Sequence, residues 1–189
     1  MSKYYLALLT ILLVTSCGGN DLPDVVKFKS GLYGSRTGEF VAKFPDKPSV
    51  SSRHYQLGAT QEFNEYVFQY RVGLEHRYVV SYIDFPEELI KAWDTEELFD
   101  QTIKNISAQV DDFRISERKV NQMKGYEKSI TYALFSSTPG AMMKSRLLKR
   151  GNRIYYVYFA CARRQPNTED IDAFLDSFQL YQPKEDTSS

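Results

Sequence analysis

The stretch that most restricts what this chain can fold into is Gly151-Asn152, together with the strand-like runs on either side of it. A two-residue Gly-Asn connection is a hairpin signal, because its positive-φ conformation matches the right-handed twist of paired strands. Such a turn predicts the pairing of both runs. Arg150 falls opposite Arg153, Leu148 opposite Tyr155, Arg146 opposite Val157 and Lys144 opposite Phe159. The other face carries Leu147 with Tyr156, Ser145 with Tyr158 and Met143 with Ala160. Neither face is purely polar. A sheet with both faces at least partly covered is therefore expected, rather than one wet on one side.

The rest of the chain reads in the same terms. Short strand-like pieces lie at 25–29 and 39–44, separated by GLYGSRTG, whose glycines at 31, 34 and 38 suggest positive-φ turns. A phosphate-binding loop would need lysine and then Ser or Thr after the last glycine, and Glu39 stands there instead. Further strands rich in Tyr, Val and Phe are predicted at 50–57, 65–74, 77–83, 113–120 and 126–135. Residues 94–110 predict a helix. Asp94 caps its first turn, Glu97 completes a capping box, and Phe99, Ile103, Ile106 and Val110 form one apolar stripe. A closing helix carries Ile171, Phe174, Leu175 and Phe178 behind a cap at Asn167 or Thr168. Hairpin-linked strands with few helices predict an α+β fold, an antiparallel sheet packed against helices.

At the N-terminus Lys3 precedes an apolar run over 4–14, too short to span a bilayer and built like the start of a secretory signal. Val14-Thr15-Ser16-Cys17 resembles the lipobox of bacterial lipoproteins, an aliphatic residue, two small residues and cysteine. The resemblance implies cleavage before Cys17 and acylation of its thiol, with the bilayer as a partner through two or three chains; one chain alone binds only reversibly. It divides the chain into a signal at 1–16, a tether at 17–23, one domain at 24–182 and a tail at 183–189. It also implies the periplasmic side of a bacterial envelope. Gly18 after the cysteine, rather than aspartate, resembles lipoproteins sent to the outer membrane. Without the signal, Cys161 is the only other thiol, so no intramolecular disulfide can form and the fold rests on its core. The chain has 24 basic and 24 acidic residues, a balance that argues against nucleic acid as a partner.

A second resemblance covers most of the domain. FPDKP at 44–48, YVVSYIDFP at 78–86, RIYYVYF at 153–159 and FLDSFQL at 174–180 occur in that order. They resemble small bacterial lipoproteins of the PsbP-like fold. That likeness implies a central antiparallel sheet sandwiched between helices, an α/β/α sandwich. It implies no single activity, since members of the family bind different partners.

Catalytic and metal chemistry find little support. His54 and His76 are the only histidines, and with one domain thiol they fall short of a zinc ligand set. There is no G-x-S-x-G elbow. Cys161 with either histidine could form a dyad in principle, but it ends an apolar run, where cysteine behaves as a small buried hydrophobe. Asp111-Asp112 and Glu87-Glu88 read as charged turns. No catalytic residue, metal or cofactor is expected. The most suggestive feature is the hairpin face of Lys144, Arg146, Tyr155 and Phe159, a candidate ligand or partner face. Its plainer reading is a helix-roofed face rimmed by solvated charge. Function is expected to be that of a membrane-tethered, non-catalytic binding or accessory lipoprotein with an envelope protein partner. The alternative is a small-molecule carrier or enzyme using a tyrosine-lined pocket beside Arg146.

Overall fold

A computed structural model describes residues 22–57, 61–108, 113–137, 140–163 and 167–181. Its strands are β1 (Val26–Lys27), β2 (Tyr33–Ser35), β3 (Phe40–Ala42), β4 (Ser49–Leu57), β5 (Gln61–Val72), β6 (His76–Asp84), β7 (Arg114–Asn121), β8 (Lys128–Phe135), β9 (Met142–Arg150), β10 (Arg153–Cys161) and β11 (Gln179–Leu180). The helices are α1 (Glu87–Ala92), α2 (Thr95–Ala108) and α3 (Thr168–Ser177). Seven strands form one sheet in the order β4-β5-β6-β10-β9-β8-β7, and four form another in the order β1-β2-β3-β11. Every pairing is antiparallel.

The central hairpin has the register its turn predicts, with Arg153 opposite Arg150 and Phe159 opposite Lys144. Gly151 takes φ +59, as the turn requires. Period-two alternation then sends Tyr155, Val157, Phe159 and Cys161 to one face of the large sheet and Ile154 and Tyr156 to the other. On the first face lie α3 and the small sheet, whose Phe40, Phe44, Phe174 and Phe178 join Phe68, Tyr78, Tyr155 and Phe159 in one core. On the second, α1 and α2 bring Ile90, Phe99 and Ile103 onto Ile130, Tyr132, Leu134 and Leu147.

This corrects the expected α+β sandwich of a sheet between helices. Strand makes up about half of the described residues and helix about a fifth, and the fold is β-rich, with two antiparallel sheets and three helices. The physical reason lies in the N-terminal pieces. They fold back as β1-β2-β3 and recruit β11, so a second sheet takes a place that a helical layer was expected to fill.

Local readings fare unevenly. Asp94 does cap α2, its carboxylate accepting from the amides of Glu96 and Glu97 at 2.9 Å. Asn167 caps α3 by accepting from the Glu169 amide. Glu87 and Glu88, expected in a charged turn, instead open α1, where acidic side chains suit the positive helix end. In GLYGSRTG only Gly31 has positive φ, at +83; Gly34 lies inside β2. A Cβ there would sit 2.0 Å from the Phe40 carbonyl oxygen, so that glycine serves close strand approach rather than a turn.

Candidate functional site

Beyond the reach of α3, the first face of the large sheet opens into a groove of about 620 Å³. Its walls are Lys144 and Arg146 on β9, Thr131 on β8, Glu117, Lys119 and Asn121 on β7, and Asp172 and Asp176 on α3. The strand alternation that buries Tyr155 and Phe159 also turns Lys144 and Arg146 toward α3. The helix meets them with Asp172 and Asp176, one turn apart on the flank of its buried Ile171, Phe174 and Leu175. Lys144 is ion-paired to Asp172 and Arg146 to Asp176. The Arg146 guanidinium also donates to the Leu175 carbonyl at 2.8 Å, satisfying the C-terminal end of α3. Its Nε is buried without a hydrogen-bond partner among the described residues. Across the floor, the Asn121 amide donates to Thr131 Oγ at 2.7 Å.

The four residues expected on one face therefore divide by depth. Lys144 and Arg146 line the groove. Phe159 is wholly buried against Tyr78, with ring centroids 5.0 Å apart. Tyr155 is wholly buried too, its hydroxyl donating to the Gly38 carbonyl at 3.0 Å, so it seals the core and does not line a pocket beside Arg146. Helix α3 roofs Tyr155 and Phe159, and Lys144 and Arg146 stand at the rim of that roof. Glu117, Lys119 and Asn121 were not legible as site residues, because nothing local says that β7 lies two strands from β9. Cys17 lies outside the described residues.

Two further places carry chemistry. On the second face, Glu65 is buried to 8 % exposure and accepts from Tyr55 at 2.8 Å and from Arg53 at 3.4 Å. Burial and then the Glu65 charge push the Tyr55 hydroxyl up to about 12. This is a sheet-spanning ion pair with its phenol kept neutral, suited to holding β4 onto β5. At the far end of the same face an apolar groove of about 430 Å³ is lined by Leu74, Phe113, Met143, Tyr158 and Ala160.

The register also sets His76 directly opposite Cys161. The thiol, however, donates to the Gly140 carbonyl at 2.9 Å, and burial raises its pKa. A nucleophilic cysteine needs the reverse, a stabilised thiolate. His54 sits elsewhere, its Nδ1 3.1 Å from Asn64 Oδ1. Among the described residues no group of three or more His, Cys, Asp or Glu could hold a metal ion, and no helix is long and apolar enough to cross a membrane.

No protein-family model matches the chain, and no curated protein matches it. Among solved structures, the chain is similar to the immunity protein TplEi of the T6SS from Pseudomonas aeruginosa, complexed with "L" peptide. The identity is 12 %, the TM-score is 0.40, and the match covers 75 % of this chain and 58 % of that one.

Proposed function

We propose that this chain is a lipid-anchored, non-catalytic binding or accessory protein of the bacterial cell envelope, and that it holds a polypeptide segment of a protein partner in the α3–β9–β7 groove. The observation that carries the reading is the groove itself. It is open, about 620 Å³ in volume, and rimmed by three cations, Lys119, Lys144 and Arg146, facing three carboxylates, Glu117, Asp172 and Asp176. Charges of both signs along an open trough suit a peptide that carries both. They suit an anionic small molecule or a polyanion poorly, since the carboxylates repel it. The lipobox at Val14-Thr15-Ser16-Cys17 supports the anchored half of the proposal.

The test is photo-crosslinking in the intact envelope. A photoreactive residue at Gln122, on the groove lip, is expected to capture the same envelope protein in every replicate, and one at Asn64, on the same face but near the far β4 edge of the sheet, is not. Loss of that product in Lys144→Glu supports the groove; an empty Gln122 lane, or equal capture at Asn64, rules it out. Cys17→Ser is expected to release the protein from sedimented membranes.

A further inference from the structure

The large sheet ends at β7, which pairs with β8 on one side and with no strand of the described chain on the other. All but its last residue are exposed. Among the described residues six large apolar side chains are exposed, and three of them, Ile115 at 46 %, Val120 at 48 % and Phe135 at 42 %, belong to the β7–β8 ribbon. The opposite edge, β4, carries none of the six. A free edge with apolar side chains on it is a template for another strand.

From the order of residues on this edge we infer that its partner is β7 of a second copy of the same chain, paired antiparallel about a two-fold axis at Arg118. Pairing across a sheet keeps each residue on its own face, and the pairing of β7 with β8 shows which face that is. Glu117, Lys119, Asn121 and Arg114 lie opposite Ala133, Thr131, Ser129 and Phe135, on the α3 face. Ile115, Arg118 and Val120 lie opposite Leu134, Tyr132 and Ile130, on the α2 face, with the irregularity at Ser116 producing the change of phase. Centred on Arg118, the α3 face sets Glu117 against Lys119 of the second copy twice over, and Arg114 against Asn121. The α2 face sets Ile115 against Val120, again twice, with Ser116 bulged out in both copies. The two Arg118 side chains meet at the axis, each already held by its own Asp100 at 2.7 Å and Glu96 at 3.4 Å.

Charge selects this register. Centring on Glu117 or Lys119 would break both Glu117–Lys119 pairs and separate Ile115 from Val120, whereas the two Arg118 guanidinium groups that meet in the chosen register are each already paired with Asp100 and Glu96 of their own chain. Charged residues and a bulge ordinarily keep an edge from pairing. Here the sequence Glu117-Arg118-Lys119 is complementary to itself when reversed, so the same charges that refuse a foreign strand accept this one. Pairing also brings the two grooves side by side, because Glu117 and Lys119 line both. The inference does not need either groove to hold a partner.

The test uses the full chain in intact cells. Directly opposed residues across antiparallel strands have Cα atoms about 4.5–5.5 Å apart, within disulfide range, so Arg118→Cys is expected to give a covalent dimer on a non-reducing gel under mild oxidation. Wild type supplies the background of the native thiols, and Ser52→Cys on β4 is expected to stay at that background. In the Arg118→Cys protein, Glu117→Lys alone or Lys119→Glu alone turns both attractive pairs repulsive and is expected to cut the product about fivefold or more. Co-expressing those two variants restores opposite charges in the mixed pair and is expected to restore the cross-link, which also shows that both still fold. No dimer from Arg118→Cys, an equal yield from Ser52→Cys, or no recovery on mixing overturns the inference.

Discussion

The two faces of the seven-stranded sheet are closed in different ways. On the first, aromatic rings from α3 and the small sheet interlock with rings of the large one. Phe174 lies 5.3 Å from Phe44 and 5.2 Å from Tyr78, and Phe178 lies 5.3 Å from Tyr155. On the second, α1 and α2 cover only part of the sheet, and polar side chains are worked into the interior. Tyr132 donates to Tyr156 at 2.7 Å, Tyr156 to the Met143 sulfur at 3.2 Å, and burial raises the pKa of both phenols. The first face gains its stability from shape and area, the second from fewer apolar groups and from hydroxyls bonded to one another, with Ser145 Oγ buried beside them without a partner among the described residues. The difference teaches where function has room. The groove and the open edge lie at the margin where the aromatic seal of α3 stops.

The largest expected effect tests that contrast directly. Phe174→Ala removes a ring from the sealed face and is expected to cost about 4 kcal/mol in denaturant unfolding. Phe99→Ala, equally buried on the inner side of α2 but with no ring stacked on it among the described residues, is expected to cost about 3 kcal/mol. A larger loss at Phe99 would invert the comparison. Next in size is Gly34→Ala. The added methyl must move the Phe40 carbonyl, so the β2–β3 pairing is expected to give way with a loss of about 1–3 kcal/mol and faster amide exchange confined to the small sheet.

Tyr132→Phe probes the second face. The Tyr156 hydroxyl keeps its own acceptor on Met143, so only one hydrogen bond is lost, and about 1 kcal/mol is expected by the same unfolding measurement. A loss as great as that of Phe174→Ala would mean that the polar interior is cooperative rather than a sum of bonds. The smallest effect concerns pH. Burial opposes ionisation of Asp24, but hydrogen bonds from Ser35, Thr37 and Arg36 outweigh it and hold its carboxyl below the ordinary 3.8. A folded value below the unfolded one stabilises fully above 3.8 and is lost as pH falls through the folded value. Asp24→Asn is therefore expected to cost a few tenths of a kcal/mol near neutral pH, a difference that disappears as pH falls through the folded value.

What could be read early was local in origin. The Gly151-Asn152 turn carries its own register, Asp94 and Asn167 announce the starts of α2 and α3, and Cys161 at the end of an apolar run is the buried thiol its neighbours suggest. Lys144 and Arg146 were legible as a charged rim because alternation along β9 places them there. Tyr155 and Phe159 were legible only as face-mates of that rim. Their depth depends on α3 and on Gly38, more than 100 residues away from Tyr155 in the chain.

By itself, then, the sequence determined the period, turns and caps of its segments, all set by interactions between residues close along the backbone. Only the tertiary structure decided that β10 lies between β9 and β6, that 26–42 and 179–180 close into a second sheet that shares that face with α3, and that β7 is left as an edge beside a charged groove. Those outcomes are settled by which apolar surfaces fit together once the chain has collapsed. That competition between distant segments leaves no mark within any one of them.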